Sequence, residues 1–112
     1  MEEIKEITAE ELKNLLKEKK VLIVDVRSKE EYMEVHMEDA FLMELPQFNQ
    51  KVLEQKCAEI DGLEAVIFQC RSGVRSRTAM HHLDDFPYES YNLKGGIVSW
   101  AGLGYKVIID DD

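Results

Sequence analysis

Cysteine, proline and tryptophan are all scarce in this chain, which has two, two and one of them among 112 residues. Two cysteines, Cys57 and Cys70, cannot build a disulfide scaffold, and such sparse use is typical of proteins that keep their thiols reduced. No stretch approaches the ~20 apolar residues that a membrane-spanning helix needs. The acidic amino terminus also lacks the apolar segment of a secretory signal. We therefore expect a cytoplasmic protein with no membrane partner.

Positive charge is in short supply as well. The chain carries 14 Lys and Arg against 23 Asp and Glu, for a formal net charge of −9. A nucleic-acid partner is not expected, because no basic stripe offsets the acidity. Much of that acidity lies at the two ends of the chain, in Glu2, Glu3, Glu6 and residues 110–112. We interpret these runs as solubilising.

The length predicts a single domain over residues 1–112 with one modest core. We expect the ordered core to span about residues 4–107 and the acidic termini to be flexible. A small acidic domain of this kind is expected to be a monomer.

Two apolar runs without polar alternation, Val21–Val24 and Ala65–Gln69, predict strands that are covered on both faces. Helices are predicted between them. Thr8 with Glu11 and Ser28 with Glu31 each have the spacing of a capping box, which starts a helix. Alternating strands and helices predict an α/β fold: a small, mainly parallel sheet with helices on both faces.

The rest of the chain continues this alternation. Apolar spacing and breaker residues predict further helices over 48–62, 74–83 and 97–101 and further strands over 40–45, 88–93 and 105–109. Residues 35–39 are predicted to be a connector without regular structure.

The most informative stretch runs from Cys70 to Ser76. Cys70 follows a predicted buried strand, and a helix is predicted to begin at Val74. The first N–H groups of a helix lack internal partners and favour negative charge, so a thiol there loses its proton more readily. Arg71 and Arg75 add positive charge, while Ser72 and Gly73 allow the backbone to curl around one anion. The stretch predicts a cradle for a sulfur anion or an oxyanion, with Cys70 as the nucleophile.

Three blocks of sequence, taken in order, resemble the rhodanese family in its small single-domain sulfurtransferase form. They are Asp25-Val26-Arg27 with Glu31, Tyr32 and His36; the loop Cys70-Arg71-Ser72-Gly73-Val74-Arg75-Ser76; and Leu93-Lys94-Gly95-Gly96-Ile97 with Trp100, Gly104 and Tyr105. Two positions depart from the pattern, because the family has glycine where this chain has Val35 and Asp39. Valine tolerates positive φ badly, so the connector is expected to take a different path.

The resemblance implies transfer of sulfane sulfur from a small anionic donor such as thiosulfate to a thiol, cyanide or protein acceptor. Cys70 is then the catalytic nucleophile and carries the sulfur as a persulfide. No metal or organic cofactor is required. The residues expected to bind the substrate are Arg71, Ser72, Gly73, Val74 and Arg75. The residues expected to support the site structurally are Asp25, Arg27 and Ser76.

Other interpretations stay open. A cysteine phosphatase has five residues between cysteine and arginine, whereas four separate Cys70 from Arg75, so the smaller cradle favours sulfur over phosphate. A non-catalytic binding module or a sulfur carrier is the second alternative. Cys57 lies on an apolar helical pattern and is interpreted as core, with a resolving thiol as the weaker reading. Arg77 and Trp100 are interpreted as an ion-pairing surface residue and a core anchor.

Overall fold

A computed structural model describes residues 3–109. Its seven strands are β1 (Glu6–Ile7), β2 (Val21–Asp25), β3 (Val35–Met37), β4 (Phe41–Leu42), β5 (Ala65–Gln69), β6 (Ser90–Leu93) and β7 (Val107–Ile109). Its α-helices are α1 (Ala9–Glu18), α2 (Lys29–Glu34), α3 (Gln50–Ala58), α4 (Val74–His81) and α5 (Gly96–Gly102), and a 3₁₀ turn covers Leu45–Gln47. The acidic termini were predicted to be flexible. Residues 1–2 and 110–112 of these termini lie outside the described residues.

The two apolar runs form the middle of a parallel sheet. β2 and β5 lie side by side in register from Val21 opposite Ala65 to Asp25 opposite Gln69. The full order is β1-β6-β5-β2-β4, with every pair of neighbours parallel. All of β5 is buried, as expected for a strand with helices on both sides. The predicted α/β class is confirmed.

Each face of the sheet has its own apolar core. On one face, Val66 and Phe68 pack with α3 and α4 through Leu53, Ala79 and other buried side chains. On the other face, Ile23 and Ile67 pack with Leu12 of α1 and Trp100 of α5. Helices therefore cover both faces, and Trp100 is 4 % exposed, in agreement with its interpretation as a core anchor.

Both predicted capping boxes are present. Thr8 accepts from the Glu11 N–H and Ser28 from the Glu31 N–H, while each glutamate accepts in return from the backbone of its cap. These reciprocal bonds satisfy N–H groups that a helix start leaves unpaired. The second box holds Glu31 at a fixed position near the carboxyl ends of the strands.

Two parts of the fold differ from the sequence-based expectation. Residues 5–8 were not predicted to form regular structure, yet Glu6–Ile7 is the edge strand β1, paired with β6. The predicted connector over 35–39 contains strand β3, which pairs antiparallel with β7. Its valine, Val35, has φ −159 and so carries no positive-φ strain. The left-handed residue of this segment is Asp39, with φ 61, a conformation that Asp tolerates better than valine.

The strand predicted over 40–45 is shorter than expected, because only Phe41–Leu42 pairs with β2 and Leu45 begins the 3₁₀ turn that contains Pro46. The helix predicted over 48–62 covers Gln50–Ala58. The other helices and strands agree with prediction apart from their ends. Helix α4 ends at His81, two residues earlier than predicted, and strand β6 begins at Ser90 rather than at residue 88. Within residues 3–109, no helix combines the length and the apolarity that crossing a lipid bilayer would need.

Candidate active site

Cys70 lies immediately after β5, at the carboxyl ends of the parallel strands. This edge is where open α/β sheets place their ligand sites. The residue is 1 % exposed, and it lies beneath a loop whose Arg71, Ser72 and Val74 are all exposed. Helix α4 starts at Val74, so the strand, loop and helix arrangement expected from the sequence is present.

The sulfur of Cys70 is surrounded by hydrogen-bond donors. The Gly73 N–H lies 3.1 Å from Sγ, and Ser76 Oγ lies 3.4 Å from it. Burial by itself would raise the pKa of this thiol. The Ser76 hydroxyl and the backbone N–H groups of Ser76, Gly73 and Ser72 outweigh burial, so the pKa of Cys70 is lowered. The cradle therefore favours a sulfur anion.

The loop can close around the sulfur because its third residue after Cys70 is glycine. Gly73 has φ 102 and is the N-terminal cap of α4. A Cβ at this position would lie 3.3 Å from the Leu93 carbonyl oxygen and 3.4 Å from the Gly95 nitrogen. Both the backbone conformation and the close packing favour glycine over a residue with a side chain.

Helix α5 holds the loop from outside. The N–H groups of Ile97 and Val98 donate to the carbonyl oxygens of Cys70 and Arg71, at 2.9 Å and 3.2 Å. Gly96 makes this approach possible, since a Cβ there would lie 2.2 Å from the Cys70 carbonyl oxygen. Because α5 engages these carbonyls, it fixes the path of the loop around Sγ.

Arg75 does not present a free charge to the loop. Its guanidinium donates to both oxygens of Glu31, at 2.7 Å and 2.9 Å. The Arg75 hydrogen bonds hold the pKa of Glu31 at about 2, against burial and with help from Ser28. Glu31 thus compensates much of the positive charge that the sequence places next to Cys70, whereas Arg71 has no carboxylate partner among the described residues.

Asp25 and Arg27 form a buried ion pair beside the site. Arg27 Nη2 lies 2.7 Å from Asp25 Oδ2 and 2.6 Å from the Val35 carbonyl oxygen, and the two side chains are 4 % and 0 % exposed. The pair ties the end of β2 to the start of β3. This geometry bears on the loops beyond the sheet rather than on Cys70 itself.

Two further residues that the sequence analysis interpreted, Arg77 and Cys57, have structural contacts away from the Cys70 sulfur. Arg77 pairs with Glu6 of β1, as its interpretation as an ion-pairing residue suggested. Cys57 is buried in the core on the α3 side of the sheet, and burial, together with the Glu54 charge, raises its pKa to about 11. A thiol with this pKa is almost entirely protonated near neutral pH.

Sequence reasoning missed three residues that shape the site. Glu31 was named as a helix cap and in the family resemblance, and Gly96 in that resemblance, neither with a role at the site. Asn92 was not singled out. Asn92 is fully buried and accepts a hydrogen bond from the Ser76 hydroxyl. The sequence carried only a weak signal for Asn92, a residue of low β-propensity inside a predicted strand. Its burial and its partners are seen only in the structure.

Comparison with known proteins agrees with this geometry. The model of the rhodanese-like domain family matches residues 8–103. The putative sulfurtransferase YtwF of Bacillus subtilis is 30% identical over 101 residues, which are 89% of this chain and 93% of that protein. The thiosulfate sulfurtransferase GlpE of Coxiella burnetii is 28% identical over 97 residues, or 86% of each chain.

A solved structure is also similar to this chain. The rhodanese-like domain protein of Staphylococcus aureus superposes with a TM-score of 0.66 at 32% identity, covering 87% of this chain and 91% of that one. Together these similarities support a rhodanese-type sulfurtransferase in general terms, with a sulfur donor and a sulfur acceptor as its partners.

Proposed function

Since the chain belongs to the rhodanese-like domain family, we propose that it transfers sulfane sulfur through a persulfide on Cys70. The donor is a small sulfur anion such as thiosulfate, and the acceptor is a thiol, cyanide or a protein nucleophile. The proposed roles follow the sequence analysis: Cys70 is the nucleophile, and the loop from Arg71 to Arg75 binds the donor.

In the first step the Cys70 thiolate attacks the outer sulfur of thiosulfate. A new S–S bond forms on Sγ, the S–S bond of the donor breaks, and sulfite leaves with that bonding pair. The charge balances, because a thiolate and a dianion become an anionic persulfide and sulfite. The N–H groups around Sγ can hold the persulfide as they hold the thiolate.

In the second step the acceptor attacks the terminal sulfur of the persulfide. The bond between that sulfur and Sγ breaks, and Cys70 leaves as a thiolate with the electron pair. Cyanide becomes thiocyanate, whereas a thiolate acceptor becomes a persulfide itself. The enzyme returns to its starting state without a cofactor, which is the pattern of double-displacement covalent catalysis.

The single observation that carries this proposal is the set of donors aimed at one sulfur. Gly73 N–H and Ser76 Oγ lie 3.1 Å and 3.4 Å from Sγ, and the hydrogen bonds to Sγ lower the pKa of Cys70 in spite of burial. A structural cysteine in an apolar core has its pKa raised instead.

Charge favours a sulfur donor over a phosphate ester. A phosphatase arginine must grip phosphate oxygens, whereas the guanidinium of Arg75 is already engaged by both oxygens of Glu31. We propose that exposed Arg71 attracts the donor and the leaving sulfite. Arg75 and the remaining loop residues are proposed to shape the cradle, and Asp25 with Arg27 to brace it.

The protein is further proposed to act as a monomeric single domain in the cytoplasm. Both cysteines are free thiols in the structure, and a persulfide enzyme needs a compartment that keeps its nucleophile reduced.

Intact mass after incubation with thiosulfate tests the proposal. The wild-type protein is expected to gain one sulfur atom, which cyanide or a reducing thiol removes. Cys70→Ser is expected to gain none. Cys57→Ser is the matched control, because it removes a buried thiol of raised pKa and should load sulfur as the wild type does.

The outcomes separate the alternatives. Sulfur gain in folded Cys70→Ser would overturn the role of Cys70. Loading that only a thiol acceptor discharges, with no thiocyanate formed, would indicate a sulfur carrier. If the folded wild-type protein with a free Cys70 takes up no sulfur from thiosulfate or a persulfide donor, the transferase proposal fails in favour of a binding module.

A further inference from the structure

Asn92 lies at the centre of a buried hydrogen-bond network that connects the edge of the sheet with Cys70. The residue belongs to β6, in register with Glu6 of β1 and Phe68 of β5, and it is fully buried. Its Nδ2 donates to Glu6 Oε2 at 3.0 Å and to the Gly73 carbonyl oxygen at 3.1 Å. Its Oδ1 accepts from the Ser76 hydroxyl.

The orientation of this amide is determined by its partners. A carboxylate and a carbonyl oxygen can only accept, so both must face the NH₂ group. The oxygen of Asn92 then faces Ser76 and can only accept from it. A flipped amide would lose both N–H donations and would place its oxygen against two groups that can only accept, so the orientation is fixed.

Ser76 has one hydroxyl hydrogen and lies between two acceptors, the Cys70 sulfur and Asn92 Oδ1. Its Oγ lies 3.4 Å from Cys70 Sγ and also contacts Asn92 Oδ1. While Cys70 is a thiol, its S–H can donate to Ser76 Oγ, and Ser76 donates to Asn92. When the sulfur is anionic, a hydrogen bond from the Ser76 hydroxyl to Sγ is stronger than one to Asn92 Oδ1, because hydrogen bonds to ionised acceptors are stronger.

We infer that Asn92 is a positioning residue for Cys70: it holds the Gly73 peptide against the sulfur and competes with the sulfur for the hydroxyl hydrogen of Ser76. The first part follows from one peptide group, since Asn92 binds the Gly73 carbonyl while the Gly73 N–H faces Sγ. The inference rests on the proposed function insofar as Cys70 is the nucleophile.

The network ends at the surface in an ion pair. Glu6 Oε2 accepts from Asn92 and from Arg77, and these two hydrogen bonds lower the pKa of Glu6. The carboxylate is therefore ionised near neutral pH and anchors the outer N–H of Asn92. This assigns a role to β1, whose glutamate reaches the active loop through one asparagine.

Other charged groups around Cys70 come from α4, α2, the loop itself and the end of β2. Arg75 of α4 interacts electrostatically with the Cys70 thiolate, and Glu31 of α2 offsets its charge. Arg71 lies in the loop itself, and the ion pair of Asp25 and Arg27 lies at the end of β2. None of these is bonded to Asn92 in the described residues, so a change at Asn92 leaves their pairings in place.

The test is the pH dependence of Cys70 alkylation by iodoacetamide, in a Cys57→Ser background so that only one thiol reacts. Asn92→Leu keeps the approximate size, adds no charge, and can neither donate to Gly73 and Glu6 nor accept from Ser76. With Ser76→Ala also present, so that no hydroxyl is shared, it is expected to raise the alkylation midpoint by about one pH unit above that of Ser76→Ala alone, with about a tenfold lower rate of sulfur loading at pH 7. With Ser76 in place the rise is expected to be smaller, because the freed hydroxyl hydrogen can bind the sulfur. Asn49→Leu is the matched control, since Asn49 caps α3 only as an acceptor and its midpoint should stay unchanged.

Asn92→Ala, compared in the same backgrounds, keeps the test decisive if Asn92→Leu does not fold, because it removes the same three hydrogen bonds with a smaller side chain. Its midpoint is also expected to rise. A purely structural asparagine would lower the unfolding temperature without moving any midpoint, and unchanged midpoints in the folded variants would overturn the inference. If midpoints move but the wild type never takes up sulfur, the positioning role stands and the sulfurtransferase proposal fails.

Discussion

Cys57 and Cys70 are both 1 % exposed and belong to the same apolar cluster on one face of the sheet, yet their thiols differ in acidity. Burial raises the pKa of Cys57 to about 11, whereas hydrogen-bond donors lower the pKa of Cys70 in spite of burial. Burial alone therefore does not decide whether a thiol is inert.

The difference comes from where each cysteine lies relative to a helix. Cys57 lies within α3, where backbone N–H groups are already used by carbonyls four residues earlier. Cys70 precedes α4, whose first N–H groups have no helical partner and can face the sulfur. Neighbouring charge adds to the contrast, because Glu54 further raises the pKa of Cys57 while Arg75 lies near Cys70.

Replacing Gly96 should break this contrast most severely. In Gly96→Ala the new Cβ would overlap the Cys70 carbonyl oxygen, 2.2 Å away, at a backbone φ of 56. We expect a loss of about 3 kcal/mol in the free energy of unfolding from strain and overpacking. The displaced loop should also let the alkylation midpoint of Cys70 move upward, towards that of Cys57.

Gly102→Ala, in the same helix, is the matched control for this experiment. A Cβ there meets nothing within 4 Å, so the helix should gain roughly 0.5 kcal/mol. Urea unfolding measures both variants. Equal stabilities of the two variants would show that α5 does not clamp the loop.

Much of this architecture could be predicted from the sequence, because apolar runs such as Ala65–Gln69 and the two capping boxes are local signals. β1, β3 and the pairing of β3 with β7 could not, although a strand over 105–109 was predicted. These strands have only two or three residues each, and β3 and β7 pair across some seventy positions of sequence. Val35 illustrates the point, since its extended conformation depends on a strand at the far end of the chain.

The candidate site also has a part that could be predicted from local sequence and a part that could not. The loop from Cys70 to Ser76 is contiguous, so its strand, turn and helix could be predicted with their order. Its partners Glu31, Asn92 and Gly96 come from other elements, and only the tertiary structure brings them to the loop. The sequence therefore placed positive charge at Arg75 but did not predict that Glu31 compensates it.

Two carboxylates offer a way to sharpen the contrast between the cysteines. Glu31→Gln leaves Arg75 uncompensated near Cys70, so the pKa of Cys70 should fall further. Glu54→Gln removes a charge that raises the pKa of Cys57, so that thiol should become more acidic while staying far less reactive than Cys70. Alkylation against pH, with peptide mapping of each cysteine, measures both. A rise for Cys70 in Glu31→Gln would contradict the charge argument.

The same glutamate predicts a pH-dependent stability. Folding lowers the pKa of Glu31 from 4.5 to about 2, so its stabilisation is complete above about pH 5 and is lost as the pH falls through 2. The side chains of Glu31 and its partner Arg75 are 30% and 38% exposed, so solvent screening limits the stabilisation from this ion pair to about 1 kcal/mol. Wild type and Glu31→Gln should therefore differ at pH 7 and converge near pH 2 in urea unfolding.

The smallest effect is expected at Gln69, which precedes Cys70 and shows the cost of burial without donors or acceptors. Its side chain is fully buried, and neither amide atom has a hydrogen-bond partner among the described residues. Gln69→Met keeps the shape and removes the desolvated amide, so it should stabilise the fold by about 1 kcal/mol. The same substitution at Gln50 should destabilise, since the Gln50 amide bonds both Glu54 and the Asp84 backbone. If Gln69→Met proves destabilising in urea unfolding, the Gln69 amide has a hydrogen-bond partner that stabilises it. The burial of Gln69 is then compensated by hydrogen bonds, as that of Cys70 is.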